Sequence, residues 1–335
     1  MGKRITSHDV ARRAGVSRSA VSLVLNGRAE GAISAQNQEA VLRAVNELGY
    51  RPNTVARSLR NASTHTIGVV TDSILSTGFG GDMVNEATRA AAARGYLLLV
   101  VDCDRNPVRE QEAVQVLKSR QCDGLMLAAE HLREWQPPPG FADEKCLLLD
   151  AVDPSGQVPG VVSDEVGGAR SATELLLHAG HREIAYLTGE SHYLAAGMRV
   201  QGHTKALAAV GLGPRLVECG WDISDGLRVG LRLLDSPDRP TAVLCANDRV
   251  AAGVFLAAAR LGLSIPDELS VVGYDNDRNV APHLGLTTIS LPHRAMGARA
   301  IEVLLDVMGG RPAESTRLLV DSPVVERASV APPSR

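Results

Sequence analysis

From Thr66 almost to its end, the chain alternates short apolar runs with stretches of helical periodicity. The runs are Thr66–Val70, Tyr96–Val101, Gly124–Ala128, Cys146–Leu149, Ile184–Leu187, Leu216–Cys219, Ala242–Ala246 and Leu269–Tyr274. Between them lie amphipathic stretches such as Met83–Arg94, Arg109–Arg120, Gly168–Ala179, Gly197–Val210, Arg249–Leu261 and Arg294–Met308. Strands separated by a helix each time cannot be joined by tight hairpins. They must lie parallel, with helices covering both faces of the sheet. Such a sheet binds ligands at the carboxyl ends of its strands. A length of 335 residues predicts about two or three domains.

The first 50 residues read differently. Thr6 and Asp9 can cap a first helix, the hydroxyl meeting an early backbone N–H and the carboxylate favouring the positive end. Val10, Ala11 and Ala14 mark its buried face, and Gly15 supplies the left-handed turn that ends it. Ser17 caps a second helix with Val21, Val24 and Leu25 inward. Ser34 caps a third, with Val41, Leu42, Val45 and Leu48 on one stripe and Gly49 at its end. Two short helices joined by about four residues, with Ala11, Gly15, Val21 and Val24 at the tight contacts, form a helix-turn-helix. Residues 1–60 hold ten Lys or Arg against four acids, a surplus of +6, while the whole chain stands at −3; the remainder therefore carries −9. A basic head on an acidic body points to a polyanionic partner for the head.

In a helix-turn-helix the N-terminal part of the second helix enters the major groove. Arg18, Ser19, Ala20 and Ser22 are then the exposed candidates for base edges. Arg18 can reach guanine O6 and N7, Ser19 can bond either base type, and the Ala20 methyl can pack on thymine. Thr6, Ser17, Asn26, Arg28 and Ser34 are placed for phosphates, which set affinity and register rather than sequence choice.

The string VARRAGVSRSAVSLVLN, then ELGYRPNTVARSLR, then HTIGVV, resembles the lactose-repressor family, with its galactose- and purine-repressor members, and the resemblance spans essentially the whole chain. It implies an all-α helix-turn-helix head (1–50), a hinge helix and linker (51–64), and an α/β two-lobed, periplasmic-binding-protein-like domain with parallel sheets (65–330). One lobe would comprise about 65–162 and 291–321, the other 163–290 and 322–330, with crossings near Val161–Asp164, Thr288–Leu291 and Asp321–Pro323. In that family the segment matching Arg51 to Arg60 folds into a helix only on operator DNA. Asn53, Ala56 and Arg57 then become DNA contacts, and Leu59 wedges into the minor groove with its partner's counterpart. Pro52 suits a helix start, and so short a helix is marginal alone; an apolar wedge unstacks a base step and bends the duplex. Leu23 stands where many relatives carry a base-reading arginine, so the operator half-site should differ from the commonest ones.

The resemblance also implies a closing cleft between the lobes, a two-state element that a ligand can bias. Its candidate contacts are Asp150 in CLLLD, Arg199 opening RVQGH, Trp221 after VECG, Asn247 in CANDR and Asp275 in VVGYDN. Asp72, Ser73 and Phe79, after the first strand, would close the other wall. Arginine and carboxylates can pair with vicinal hydroxyls, and an indole can stack on a sugar or base face. Structural roles compete: an Arg199–Asp275 ion pair, Asn247 and Asp248 as helix caps, Trp221 as packing. Leu291, Pro292 and Ala128 replace residues that are often polar in sugar-binding relatives, the loop STGFGGD lacks the frequent asparagine-proline-phenylalanine, and aromatics make up only 3 % of the chain. A sugar is the leading effector class, with a nucleobase or nucleoside as the alternative, and an activator has the same kind of head as a repressor.

Catalysis is disfavoured. The cluster Gly78-Phe79-Gly80-Gly81 is not a dinucleotide loop, and no phosphate-binding loop, nucleophile elbow or zinc helix occurs. No cofactor and no metal are expected, and His178 and His181 read as structural. Five scattered cysteines fit no metal motif and suit buried thiols in a reducing compartment. No apolar run approaches the roughly 18 residues of a membrane span, and the N-terminal stretch lacks a signal-peptide core. A cytoplasmic protein, nucleoid-associated when on its operator, is expected. Reading a palindromic operator requires paired heads. The closing ERASVAPPSR holds no leucine heptad, so a homodimer rather than a tetramer is expected.

Overall fold

The computed structural model describes residues 5–50, 63–74 and 80–334. The hinge candidates Asn53, Ala56, Arg57 and Leu59, and the cleft candidate Phe79, lie outside the described residues. The chain divides into two compact units, Met1–Thr64 and His65–Arg335.

The first unit holds α1 (Ser7–Ala14), α2 (Arg18–Leu25) and α3 (Ala35–Leu48). Thr6 and Asp9 form a reciprocal capping box at the start of α1, and Gly15 ends it at φ 69°. Ser17 accepts from the Ala20 N–H at 3.1 Å, and Ser34 from that of Asn37 at 3.3 Å. Val10, Ala11, Val21, Val41 and Ala44 form the buried centre. Leu42, expected on the inner stripe of α3, is 51 % exposed, and Ala44 is buried instead. The inward positions are 41, 44, 45 and 48, the three-and-four spacing of one helix face.

The second unit contains two sheets. The first runs β11-β5-β4-β3-β1-β2, from β1 (Thr66–Thr71), β2 (Leu97–Asp102), β3 (Gly124–Glu134), β4 (Cys146–Val152), β5 (Gly160–Ser163) and β11 (Arg317–Val320). All its pairs are parallel. Helices α4 (Gly81–Ala93) and α11 (His293–Met308) cover one face, and α5 (Pro107–Ser119) the other. The second runs β12-β10-β9-β8-β6-β7, from β6 (Ile184–Thr188), β7 (Arg215–Glu218), β8 (Ala242–Cys245), β9 (Ser270–Asp275), β10 (Thr287–Ser290) and β12 (Val324–Val325). Only β12 pairs antiparallel, to β10. Here α6 (Glu165–His178) and α7 (Leu194–Ala208) cover one face, and α8 (Ile223–Leu234) and α9 (Asp248–Arg260) the other. A short α10 (Ala281–Leu284) precedes β10. The chain passes between the sheets after β5, β10 and β11.

The parallel α/β architecture agrees with the alternation in the sequence. The apolar runs underestimate β3, which continues through EHLRE, and miss the short β5, β10, β11 and β12. Four or fewer residues of strand carry little periodicity. Among the described residues no helix is long and apolar enough to cross a membrane. All five cysteines are free, and four are buried.

The seam between α6 and α7 is tight. Gly202 lets the two backbones approach, since a Cβ there would lie 2.2 Å from the Val166 carbonyl. Thr173 and His203 are fully buried in this lobe. The Thr173 hydroxyl donates to the Ala169 carbonyl at 2.8 Å, so at 2.9 Å it accepts from His203 Nδ1–H. His203 Nε2 has no partner among the described residues. Protonating it would bury an unpaired charge, and burial pushes the imidazole down to about 4. The folded-state value lies below the ordinary 6.5, so the unfolded chain binds more protons between the two. This contribution to stability is therefore complete above about pH 6.5 and is lost as pH falls toward 4, up to about 3 kcal/mol. Urea unfolding at pH 7.5 and pH 5 should show a smaller pH effect in His203→Leu than in the parent; identical pH dependence would refute it.

Candidate ligand cleft and nucleic-acid interface

The carboxyl ends of strands in the two sheets face a cavity of about 440 Å³. Arg199, on α7, lines it and is only 4 % exposed. Its Nε donates to Glu165 Oε2 at 2.7 Å, its Nη2 to Glu165 Oε1 at 3.4 Å, and its Nη1 to the Ala246 carbonyl at 2.6 Å. Asp275 Oδ1 stands 3.8 Å from Nη2, and the guanidinium carbon lies 3.7 Å from the centre of the Tyr274 ring. The principal ion pair is thus with Glu165, at the first position of α6, and Asp275 is the secondary neighbour. Ser163 donates to Glu165 Oε1 at 2.8 Å, completing its shell. Burial alone would lower the Arg199 value, but Glu165, Tyr274 and Asp275 outweigh it and keep the group charged.

Asp150 and Asp275 occupy related places, each near the carboxyl end of a central strand. Both backbones are left-handed, at φ 54° and 101°, a conformation that costs non-glycine residues energy and clusters at functional sites. Burial, with Glu165 nearby, drives the Asp150 carboxyl well above the usual range. Asp275 is raised too, by burial first and then by Asp248 and Glu165, against Arg199. Asp150 Oδ1 has no hydrogen-bond partner among the described residues, and neither has Trp221 Nε1, both buried atoms of cavity-lining residues.

Asn247 caps α9 by accepting from the Val250 N–H at 2.8 Å, and its Nδ2 donates to the Trp221 carbonyl at 3.0 Å. It serves as a cap while lining the cavity. Trp221 is half-buried, packed so closely on Gly189 that a Cβ there would lie 2.2 Å from the indole, with Tyr193 edge-on at 5.3 Å. Asp72 and Ser73 are not in the wall. Strand β3 continues beyond Ala128, its last β1 partner, and carries Glu130, His131 and Leu132 into the cavity lining. Asp72 accepts from the Ser73 and Glu130 N–H groups, and Ser73 bridges Glu130 Oε2 and Arg105 Nε. They hold two lining residues from behind. Leu291 does line the cavity, whereas buried Ala128 does not reach it.

The residues missed by sequence reasoning are mostly charged. Glu130, Glu165, Glu190, Asp222, Arg105 and Arg249 line the cavity beside the expected Asp150, Asp275 and Arg199. Each arginine has a carboxylate neighbour: Arg105–Glu130 at 2.8 Å, Arg199–Glu165 at 2.7 Å, Arg249–Asp222 at 3.6 Å. Burial pushes His131 and His293 below the usual imidazole range, so both are neutral near pH 7. An acid in the first turn of a helix, such as Glu165, is visible in sequence only as a dipole partner. That it meets a side chain 34 positions later is decided by the seam.

On the head, Thr6, Ser17, Arg18, Ser19, Asn26, Arg28 and Ser34 are exposed. Ala20, expected to be exposed, is buried at 7 %; it sits one turn before Val24, on the inner side of α2. Ser22 is half-buried, and its Oγ and carbonyl accept from Asn26 Nδ2 at 3.2 and 2.7 Å. Arg12 and Arg13 pair with Asp9 and Glu47 at 2.8 and 2.6 Å. Arg18 and Arg28 have no ion pair among the described residues, leaving their charge facing water.

Known proteins place this geometry. Residues 6–53 match the model of bacterial regulatory proteins of the lacI family, and residues 173–330 that of a periplasmic binding protein-like domain. The HTH-type transcriptional repressor PurR of Erwinia tasmaniensis is 31 % identical, the alignment covering 97 % of each chain. The ribose operon repressor of Haemophilus influenzae is 33 % identical, over 95 % of this chain and 96 % of its own. The crystal structure of the lac repressor dimer bound to operator and the anti-inducer ONPF superposes with a TM-score of 0.80 at 29 % identity, covering 98 % of this chain and all of that one. With a helix-turn-helix head, a two-sheet α/β body and relatives along nearly its whole length, the chain belongs to the lacI family of bacterial regulatory proteins, which are DNA-binding transcriptional regulators and not enzymes.

Proposed function

We propose that the chain is a cytoplasmic, homodimeric repressor whose affinity for a palindromic operator is set by a small molecule in the interlobe cleft, with a sugar as the leading class. The carrying observation is the Arg199–Glu165–Asp275 cluster beside Asp150 and Trp221, whose unpartnered polar atoms suit a ligand rich in hydroxyls. The ribose operon repressor among the relatives agrees with that class. A nucleobase or nucleoside is the second reading, favoured by the apolar Leu291 in the wall and the Trp221–Tyr193 pair. In this mechanism the ligand alters how the lobes close on one another. The segment 51–64 passes the change to the heads, a coupling typically of about 1–3 kcal/mol. Arg18 and Ser19 are the proposed base contacts of the described head. Thr6, Ser17, Arg28 and Ser34 are its phosphate contacts, and Asn26 acts through Ser22.

Thermal unfolding against sugars, sugar phosphates, nucleosides and purines should reveal the class, since a ligand at about 100 times its Kd stabilises the fold by about 2.7 kcal/mol. Arg199→Ala should abolish the hit, and an undiminished shift would remove Arg199 from the site. On random-sequence duplex DNA, Arg28→Ala should lower the slope of log affinity against log salt by about one; an unchanged slope would remove Arg28 from the phosphate contacts. On duplexes enriched from a random pool by the protein itself, Leu59→Ala should weaken binding while leaving effector affinity unaltered. Equal affinity for such duplexes would defeat the wedge assignment.

A further inference from the structure

We propose that a bulge in β3 limits the size of the effector: His131 and Leu132 close against Tyr193 of the other lobe and wall the cleft off from a second cavity. The cleft then takes a molecule of one ring system and refuses the same molecule extended by a second ring. This rests on the reading of the cleft as the effector site and adds a size limit to it, whichever polar groups the effector carries.

The wall originates in the register of the sheet. From Ala128 to Arg133 β3 advances five positions, while its partner β4 advances two, from Leu149 to Ala151. Residues 129–132 therefore stand opposite Asp150 alone. Extra residues of this kind leave the ladder and re-aim their side chains, often beside functional sites. The bulge is held at both ends. Asp72 Oδ1 accepts from the Glu130 N–H at 2.9 Å, and Glu130 Oε2 accepts from Ser73 Oγ at 2.7 Å and Arg105 Nη2 at 2.8 Å. Beyond the bulge, the Arg133 guanidinium carbon lies 4.0 Å from the centre of the Trp135 ring, and the Trp135 N–H donates to the Val152 carbonyl at 2.9 Å. His131 and Leu132 are fixed between these anchors.

Both side chains reach the other lobe. The ring centres of His131 and Tyr193 are 5.3 Å apart, and Leu132, 2 % exposed, clusters with Val162 and Ala195. Tyr193 is braced in turn by Trp221, edge-on at 5.3 Å. Burial first, and then Arg105, hold the His131 imidazole below its usual range, so the ring meets Tyr193 uncharged near pH 7. His131, Leu132 and Tyr193 line the cleft and also line a second cavity of about 730 Å³, whose remaining wall includes Arg133, His192, Met198 and Gln201. Residues that line both cavities are the partition between them. Ligand pockets run from about 300 to 1,000 Å³ and enclose most of what they bind. The cleft, at about 440 Å³, stands toward the lower end. The room for a second ring lies behind the partition, and each lobe supplies one face of it.

The test is isothermal titration of the full chain with pairs that differ by one ring: glucose and cellobiose, glucose and maltose, ribose and adenosine, adenine and adenosine. The smaller member of at least one pair should bind, with the larger at least about 30-fold weaker. His131→Gly, and from the other lobe Tyr193→Ala, should each raise the affinity of the larger member relative to the smaller by about tenfold or more. Gly197 lines the second cavity and not the cleft, and a Cβ there would meet nothing within 4 Å. Gly197→Trp therefore fills that cavity without a clash at its own Cβ. Combined with His131→Gly it should cancel the gain, and alone it should leave the smaller member's affinity unaltered. A larger member that binds the parent as tightly as the smaller would overturn the size limit and leave the effector site intact. So would an unchanged ratio in both partition variants, or a gain that survives Gly197→Trp. Silence from every pair would overturn the effector reading itself, and the size limit with it.

Discussion

The Arg199 guanidinium has been taken almost wholly out of water and is held against Glu165 at 2.7 Å by the close approach of two helices. Removing two charges from solvent costs more than their attraction returns unless the remaining donors and acceptors are also satisfied. Here they are satisfied from three directions: Ser163 donates to Glu165, the Ala246 carbonyl accepts from Arg199, and the Tyr274 ring lies beneath the guanidinium. These partners come from the end of β5, the end of β8 and the end of β9. The pair therefore ties both sheets' strand ends to the α6–α7 seam. Gly202 makes the seam possible, and any side chain there would separate the helices that bring the two charges together.

Around that pair the cavity is built from strain and unmet hydrogen bonding. Asp150 and Asp275 hold left-handed backbones at related strand ends, and both carboxyls are driven up by burial. A region this costly persists only because the sheets and helices around it leave no alternative packing. An occupant that meets Asp150 Oδ1 and Trp221 Nε1 relieves part of the cost, and the lobes that contribute those atoms are then favoured in the arrangement that brings them together. Such an occupant would give binding a differential free energy between lobe arrangements, without which no ligand can shift an equilibrium.

The head obeys a simpler rule. Its core is small and apolar, its three helices have side-chain N-caps, and its described arginines are exposed. Arg12 and Arg13 are held by acids of the same unit, whereas Arg18 and Arg28 have no such partner among the described residues. A polyanion would find those charges available without first breaking an ion pair.

Much of this is legible in the residues themselves. The helix caps at Thr6, Ser17 and Ser34, the turn at Gly15 and the parallel α/β alternation are local, set by neighbours within a few positions, and the sequence determines them directly. The cleft acids Asp150 and Asp275 can be found because strand ends in such folds face the ligand. What the tertiary structure alone decided is long-range pairing. It made Glu165 rather than Asp275 the main partner of Arg199. It placed Glu130 in front of Asp72, because β3 runs past the end of β1. It buried Ala20 and exposed Leu42, because a helix's inner face is set by what packs against it. Local preference acts through adjacent backbone and is written in order along the chain. Charge pairing and burial depend on which distant segments meet, and only the packed lobes bring those segments together.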